Sequence, residues 1–518
     1  MGVAHSECRV LYLPAQSGKT RKMEDLIEEA EKDNGTTGQC NFIISDNNIL
    51  LVGQTEARVR KDLSVDKQVI SSSGIFSWTS SSKESALSVG ELAFEITEDR
   101  IHTIIMCSHQ ARFKYLNELI EKLAKSKHFS KKINIWIDEA DKSIKLWSKY
   151  VGVLEIIDVD NVTLISATVD SIIAKYKNIR VIPYAETHSK DYKCLKDSKR
   201  IIVELSGDSV QDALTILDDN SRLQSPGKKG FIPMQVKKES HDELDARLRE
   251  RGFAVIIING ERKELYVPAY KKKGSRVINL IPLIKTDSEG VPTELSLVVA
   301  TLYIEHKLHR FSMVITGRLC LGRGITFQSN GNEHHSGFNF DYEILPEISN
   351  APEAYQTGSR GFGNIMRTKR LRIYTSDTMF NKMEKEENQA LHSASFAEKL
   401  GLVSMGKREF KMAQGSGIVV HLEEFDSIEE LNERWTEISP NSSRFRMPHQ
   451  NDNGEYICAL GGKSEIHTAQ EVRERYKFTT SEWGSGLKKA EKGEPVSRIY
   501  AGYDGDSVVF FLRWTIKN

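Results

Sequence analysis

The chain has 518 residues, room for two to four domains, and its 72 Lys and Arg exactly offset its 72 Asp and Glu. A neutral chain exerts no overall pull on a polyanion, so any nucleic-acid contact has to be a local basic patch. Six cysteines with no C-x-x-C pair argue against a zinc site or a disulfide framework, and no apolar run is long enough to cross a bilayer; with no cleavable signal segment, a soluble, intracellular protein is expected.

In chain order, RVLYLPA (9–15) reads as a strand, and residues 19–32 as a helix with Met23, Leu26, Ile27 and Ala30 on one face. Between them lies AQSGKT (15–20). A loop from strand to helix presents backbone N–H groups and the positive end of the helix dipole to an anion. Gln16, Ser17, Gly18, Lys19 and Thr20 are therefore candidates for holding nucleotide phosphates, with Lys19 reaching the β- and γ-phosphates and Thr20 offering its hydroxyl to Mg²⁺. The full pattern wants glycine at position 13, where Leu13 stands, and Gln16 occupies another place where glycine is common.

NFIISD (41–46), GIFSWTS (74–80), HTIIMCSHQ (102–110), INIWID (133–138) and NVTLISAT (161–168) follow as strands with helical stretches between them, the rhythm of right-handed crossovers and a parallel sheet. Asp138 ends its strand, at the sheet edge that also carries the loop after the first strand. Its carboxylate can hold Mg²⁺ opposite Thr20, and Glu139 is placed to orient or deprotonate an attacking water. Asp141 is expected to bond within the site. Ser166 and Thr168 close the next strand and suggest hydroxyls that couple the site to domain movement.

A second α/β unit begins near residue 190. KKGFIPMQV (228–236), FAVIIING (253–260), FSMVITG (311–317) and RLRIYTS (370–376) read as strands, residues 238–251 as a helix with Leu244 and Leu248 inward, and residues 295–310 as another helix. Residues 270–292 read as a loop with at most one strand, and residues 329–352 as an insertion. Past residue 400, short alternating strands such as SVVFFLRWTI (507–516) suggest a smaller α+β accessory domain.

Taken in order, these motifs resemble those of superfamily 2 helicases. AQSGKT resembles motif I, DEAD (138–141) motif II and SAT (166–168) motif III. ITGRLCLGRGITF (315–327) resembles motif V, with Gly322, Arg323, Gly324 and Thr326 as the matching core, and YQTGSRGFG (355–363) resembles motif VI. The resemblance covers roughly residues 8–380, and the style of the motifs is similar to divergent helicases of large DNA viruses and phages. Gly363 departs from the pattern by standing where the second motif VI arginine would be; Arg367 is the nearest substitute. The stretch ahead of the phosphate loop is too short for the adenine-reading segment of DEAD-box RNA helicases, so membership of that narrower family is not expected.

The resemblance implies two RecA-like parallel-sheet domains in tandem, residues 1–188 and 189–395, with a smaller C-terminal α+β domain over residues 396–518. It implies ATP and Mg²⁺ in the cleft between the two domains. Lys19, Asp138 and Glu139 would come from the first; Arg360, as an arginine finger, and Gln356 from the second, with Gly322 near the nucleotide and Arg323 and Gly324 near the nucleotide or the strand. Gln54, Thr55, Arg58, Thr79, Ser80 and Thr326 are the candidate nucleic-acid contacts, with DNA expected ahead of RNA. The runs Lys271–Lys273 and RTKRLR (367–372) are further basic candidates that fit a solvated surface equally well. Trp435, Trp483 and Trp514 fit core packing better than base stacking. A monomer without a membrane partner is expected. Two other readings stay open: an ATPase stimulated by nucleic acid that remodels without unwinding, and a binding scaffold with a relic NTPase fold.

Overall fold

The first strand, Cys8–Tyr12 (β1), is followed by a loop and the helix Lys19–Asp33 (α1), then by Gln39–Ser45 (β2), Ile49–Val59 (α2), Ile75–Trp78 (β3), Val89–Thr97 (α3), Thr103–Cys107 (β4), Gln110–Lys125 (α4), Lys132–Ile137 (β5), Ala140–Tyr150 (α5) and Val159–Ser166 (β6). In this computed structural model the described residues are 8–33, 38–78, 87–150, 159–176, 179–183, 192–235, 238–285, 293–317, 325–330, 337–365, 369–399, 402–407, 409–410, 413, 418–438, 447–460, 463–476 and 496–517. The six strands lie in the order β1-β6-β5-β2-β4-β3, all parallel. Helices cover a parallel sheet on both faces, which is why β2 and β4 are buried along their whole length; β4 is apolar after Thr103, and β2 carries its apolar run at Phe42–Ile44.

Register decides where the chemistry sits. Tyr12 pairs with Ser166 across β1 and β6, and Ile137 pairs with Leu164 across β5 and β6. The carboxyl ends of β1, β5 and β6 therefore lie side by side, and the loop after Tyr12, the run 138–141 and residues 166–168 emerge at one sheet edge.

A second sheet follows the same plan with an antiparallel margin. Its strands run 276–279, 263–267, 254–258, 313–317, 229–233, 342–344, 372–375 and 199–202 from one edge to the other. Strand 263–267 pairs antiparallel with both of its neighbours, 276–279 and 254–258, and the remaining pairings are parallel. Its core includes Phe231, Ile256, Ile315 and Leu302 on one face, and Val255, Val314, Leu244 and Leu248 on the other.

Two expectations need revising here. Residues 329–352, read as an insertion, contain the buried strand Tyr342–Ile344, which sits inside the sheet between 229–233 and 372–375. Glu343 in its middle hides the apolar pattern from the sequence. The stretch 295–310, read as one helix, is an α-helix over Leu295–Glu305 and then a separate 3₁₀ turn over Leu308–Arg310, divided by Lys307 at φ 52°.

Both sheets belong to one compact unit formed by residues 1–179 and 186–390; residues 180–185 group with 391–518 in a second unit. The second unit holds an antiparallel sheet with Ser507–Lys517 between Ile418–Phe425 and Val496–Asp504. Phe510, Leu512 and Trp514 pack there with Leu431 of the helix Ile428–Ile438, and Trp435 lies against them with its indole N–H on Ser497 Oγ at 2.7 Å. Trp483 lies outside the described residues. The α/β class is thus observed, with two parallel-sheet domains in tandem, followed in the chain by a smaller region of antiparallel sheets and helices.

Candidate active site

Leu13 is buried, and its N–H donates to Ser166 O at 3.3 Å, so the first strand's pairing continues one residue past β1. The turn starts only at Pro14, whose carbonyl accepts from Ser17 N–H at 3.2 Å and from Ser17 Oγ at 2.7 Å. The left-handed backbone positions fall at Gln16 (φ 62°) and Gly18 (φ 94°). Glycine is therefore needed at 18 and not at 13, which removes the force of the first departure from the phosphate-loop pattern.

Lys19 opens α1 and places Nζ 3.6 Å from Glu139 Oε1. Asp138 is pinned by its N–H to Ile44 O at 2.8 Å and accepts on Oδ1 from Glu139 N–H at 2.9 Å. Burial, and then the adjacent Glu139 carboxylate, push Asp138 up to about 7, while Lys19 pulls it down. Glu139 is buried and has φ 49°. A non-glycine residue in that region carries strain of roughly 1–2 kcal/mol, the kind of strain that collects at functional sites. Beside them, Asp141 accepts from Ser166 Oγ at 2.8 Å and from Thr168 Oγ1 at 2.9 Å. The two hydroxyls expected to couple the site thus hold its third carboxylate.

The second sheet's domain closes the same cavity. Lys19, Thr20, Asp138, Glu139, Gln356 and Arg360 together line a cleft of about 260 Å³. Arg360 is buried, and its Nη1 donates to Ile325 O at 2.8 Å. Gln356 is also buried, and its Nε2 finds no acceptor among the described residues. The other side of the contact is made by the phosphate loop. Ala15 N–H donates to Tyr355 OH at 3.1 Å, Tyr192 OH donates to Ala15 O at 2.9 Å, and Thr326 Oγ1 donates to Gln16 Oε1 at 3.1 Å. Gly363, at φ 116°, lies against Gln16, where an added Cβ would come within 2.9 Å of Gln16 O.

Of the candidate strand contacts, Gln54 accepts from Thr326 N–H at 3.3 Å, which puts both residues at the contact between the two domains. Thr55 is buried with its hydroxyl 3.2 Å from Ser45 Oγ. Arg58 lines the cleft and pairs with Glu294 Oε2 at 3.1 Å. Thr79, Ser80, Gly322, Arg323, Gly324 and Arg367 lie outside the described residues. No motif pointed to the acidic group around Arg58. Glu24, on α1, has the Asp62 carboxyl beside it, and burial, followed by that neighbour, pushes Glu24 up to about 9. Glu24, Asp62 and Glu294 all line the cleft.

The donor set suits a nucleoside triphosphate with Mg²⁺. Among the described residues no three His, Cys, Asp or Glu side chains converge into a metal cluster. A magnesium ion would rest on Asp138 and Thr20, completing its shell with water and phosphate oxygens, as this ion accepts. Gln356 Nε2 and Lys19 are the cationic or N–H groups that would meet the phosphates. No helix among the described residues is long and apolar enough to cross a membrane.

No protein-family model matches the chain, and no curated protein does. Among solved structures it is similar to S. cerevisiae Dbp5 bound to RNA and ADP BeF3, at 12% identity over 79% of this chain and 90% of that one, with a TM-score of 0.44. It is also similar to a DEAD box protein from the hyperthermophile Methanococcus jannaschii, at 14% identity over 74% and 87% of the two chains, TM-score 0.35. A third is the Escherichia coli DEAH/RHA helicase HrpB, at 8% identity over 76% of this chain and 44% of that one, TM-score 0.40.

Proposed function

We propose that the chain is a superfamily 2 motor with two RecA-like domains, which hydrolyses ATP in the cleft between them and moves along, or unwinds, nucleic acid. The observation that carries this reading is the meeting of Lys19, Asp138 and Glu139 from one domain with Gln356 and Arg360 from the other in a single cavity. Bound Mg²⁺ would supply charge neutralisation on the phosphates.

Lys19 binds the phosphate chain and, when it does, leaves its present position beside Glu139. Glu139 is then free to orient water and accept its proton, a role suited to a buried carboxylate at a strand end. Arg360 supplies a guanidinium to the charge that develops on the transferred group, so hydrolysis needs both domains at once. Asp141, held by Ser166 and Thr168, keeps the turn after β5 fixed during that step. DNA is proposed as the first strand to test and RNA as the second.

Lys19→Ala and Glu139→Gln are each expected to lower nucleotide hydrolysis by at least about 100-fold, with the circular dichroism spectrum unchanged. Hydrolysis at the parent rate by both would rule the reading out. Hydrolysis stimulated by a single strand without displacement of an annealed strand would place the protein among remodelling ATPases that do not unwind.

A further inference from the structure

The chain carries a second cavity, of about 560 Å³, that shares no lining residue with the cleft. It is built from two segments of the second sheet's domain: the turn between strands 263–267 and 276–279, and the stretch 305–311 leading into strand 313–317. The carboxyl end of strand 313–317 leads to Ile325 and Thr326 at the cleft. The new cavity lies at the opposite, amino end of the same strand.

Its charge is one-sided. Lys271, Lys272, Lys273 and Arg276 come from the turn, Lys307 and Arg310 from the second segment, and Glu305 is the one carboxylate among the lining residues. None of these six cations forms an ion pair among the described residues. Arginines elsewhere on this neutral chain are commonly paired, as Arg58 is with Glu294, Arg251 with Asp218 and Arg262 with Asp242. Six like charges around one cavity repel one another unless an anion joins them.

The chain also keeps lysine at two positions here whose backbone favours another residue. Tyr270 and Lys273 exchange both backbone hydrogen bonds, at 2.9 and 3.0 Å, and Lys271 between them has φ 53°. That first turn position ordinarily takes glycine. Lys307 has φ 52°, again a position for glycine or asparagine. Arg276 Nη2 lies 2.6 Å from His306 Nδ1 and ties the two segments together.

The cavity also holds an aromatic ring. Tyr270 is 38% exposed, its ring lies edge-on to Phe311 at 6.0 Å, and Arg310 Cζ sits 4.7 Å from its centre. Cations around an exposed, braced ring form the combination that grips phosphates and stacks a base. A duplex would offer the phosphates but keep its bases inside.

We propose that this cavity is a second binding site for single-stranded nucleic acid, separate from the nucleotide cleft. The full chain is titrated with a fluorescein-labelled oligothymidylate and with an oligouridylate, across a range of salt concentrations. Replacing Lys272, Lys273 and Arg310 together with alanine is expected to lower the slope of log affinity against log salt by about 2, at about 0.7 per lost phosphate contact. Tyr270→Ala is expected to weaken binding by about tenfold, and an abasic strand of the same length should be indifferent to that change. Photo-cross-linking with a thiouridine strand should label the peptides around Tyr270 and Arg310.

An unchanged salt slope in the triple variant, with no cross-link in those peptides, would overturn the proposal. So would equal competition by polyglutamate, by tripolyphosphate or by a blunt duplex, each of which would assign the surface to bulk charge. Lys19→Ala should bind here as the parent does. A chain that hydrolyses no nucleotide but shows this binding pattern would lose the motor reading and keep this site.

Discussion

Gly363 touches the phosphate loop through its backbone, close against Gln16. By pattern it is a missing arginine. In the structure its φ of 116° and the 2.9 Å approach of its missing Cβ to Gln16 O make it the point where the second domain meets the phosphate loop. Gly363→Ala is expected to push that contact apart and to lower hydrolysis by about 100-fold, the usual cost of a displacement near 1 Å, with little change in the unfolding midpoint. A kcat at the parent value would refute it. Glu24 offers a second test at this scale. Its native pKa of about 9 lies above the ordinary carboxylate value, so the folded chain keeps a proton that the unfolded chain releases. Stability is then greatest at low pH in this respect and is lost as pH rises from about 4.5 towards 9. Glu24→Gln, which mimics the protonated form, should raise the melting midpoint at pH 8 by a few degrees and leave it nearly unchanged at pH 5. Lys19, Asp138 and Arg360 were legible because each sits in a local motif. Glu24, Asp62 and Glu294, which line the cleft, and Tyr192, which bonds Ala15 O, were not, because only the fold brings them there.

At the scale of elements, the carboxyl ends of β1, β5 and β6 supply the first domain's share of the site, and each of the three strands carries a short apolar cluster near that end, Val10–Leu13, Ile135–Ile137 and Leu164–Ile165. Parallel strands buried on both faces leave that signal whatever their neighbours do. The strands that did not stand out are those whose signal is diluted. Lys199–Ile202 begins with two cations at a sheet margin, and Tyr342–Ile344 has a buried glutamate at its centre. The link between β6 and α5 makes its own prediction. Asp141 takes one hydroxyl on each carboxylate oxygen, from Ser166 and from Thr168. Ser166→Ala and Thr168→Val should each cost about 1–2 kcal/mol in denaturant unfolding, because each removes a hydrogen bond to a charged group. In an Asp141→Asn background the same changes should cost less, since the three act as one network. Additive losses in the double-mutant cycles would show that the hydroxyls do not act through Asp141.

Across the unit that holds both sheets, the polar contacts between its two domains among the described residues include Gln54 with Thr326, Gln16 with Thr326 and Ile325 O, the tyrosine pair with Ala15, Arg58 with Glu294, and Gln389 with Asp170. Gln54 with Thr326, Gln16 with Thr326 and Arg58 with Glu294 are partly exposed and each contributes little on its own, so a closure that rests on them can open and close, as the proposed motor would need. Arg58 separates two accounts of this surface. As a strand contact, its loss would weaken nucleic-acid binding whatever stands at position 294. As a clasp, its charge matters only against Glu294, from which it lies 3.1 Å. Arg58→Glu should therefore raise the KM for nucleotide several-fold and enlarge the radius of gyration measured by small-angle scattering. Adding Glu294→Arg should restore both, because the reversed pair can form across the same gap. If the double variant stays open and binds the strand as weakly as Arg58→Glu alone, Arg58 belongs to the strand and the clasp has to be sought in Gln54, Gln16 and Thr326.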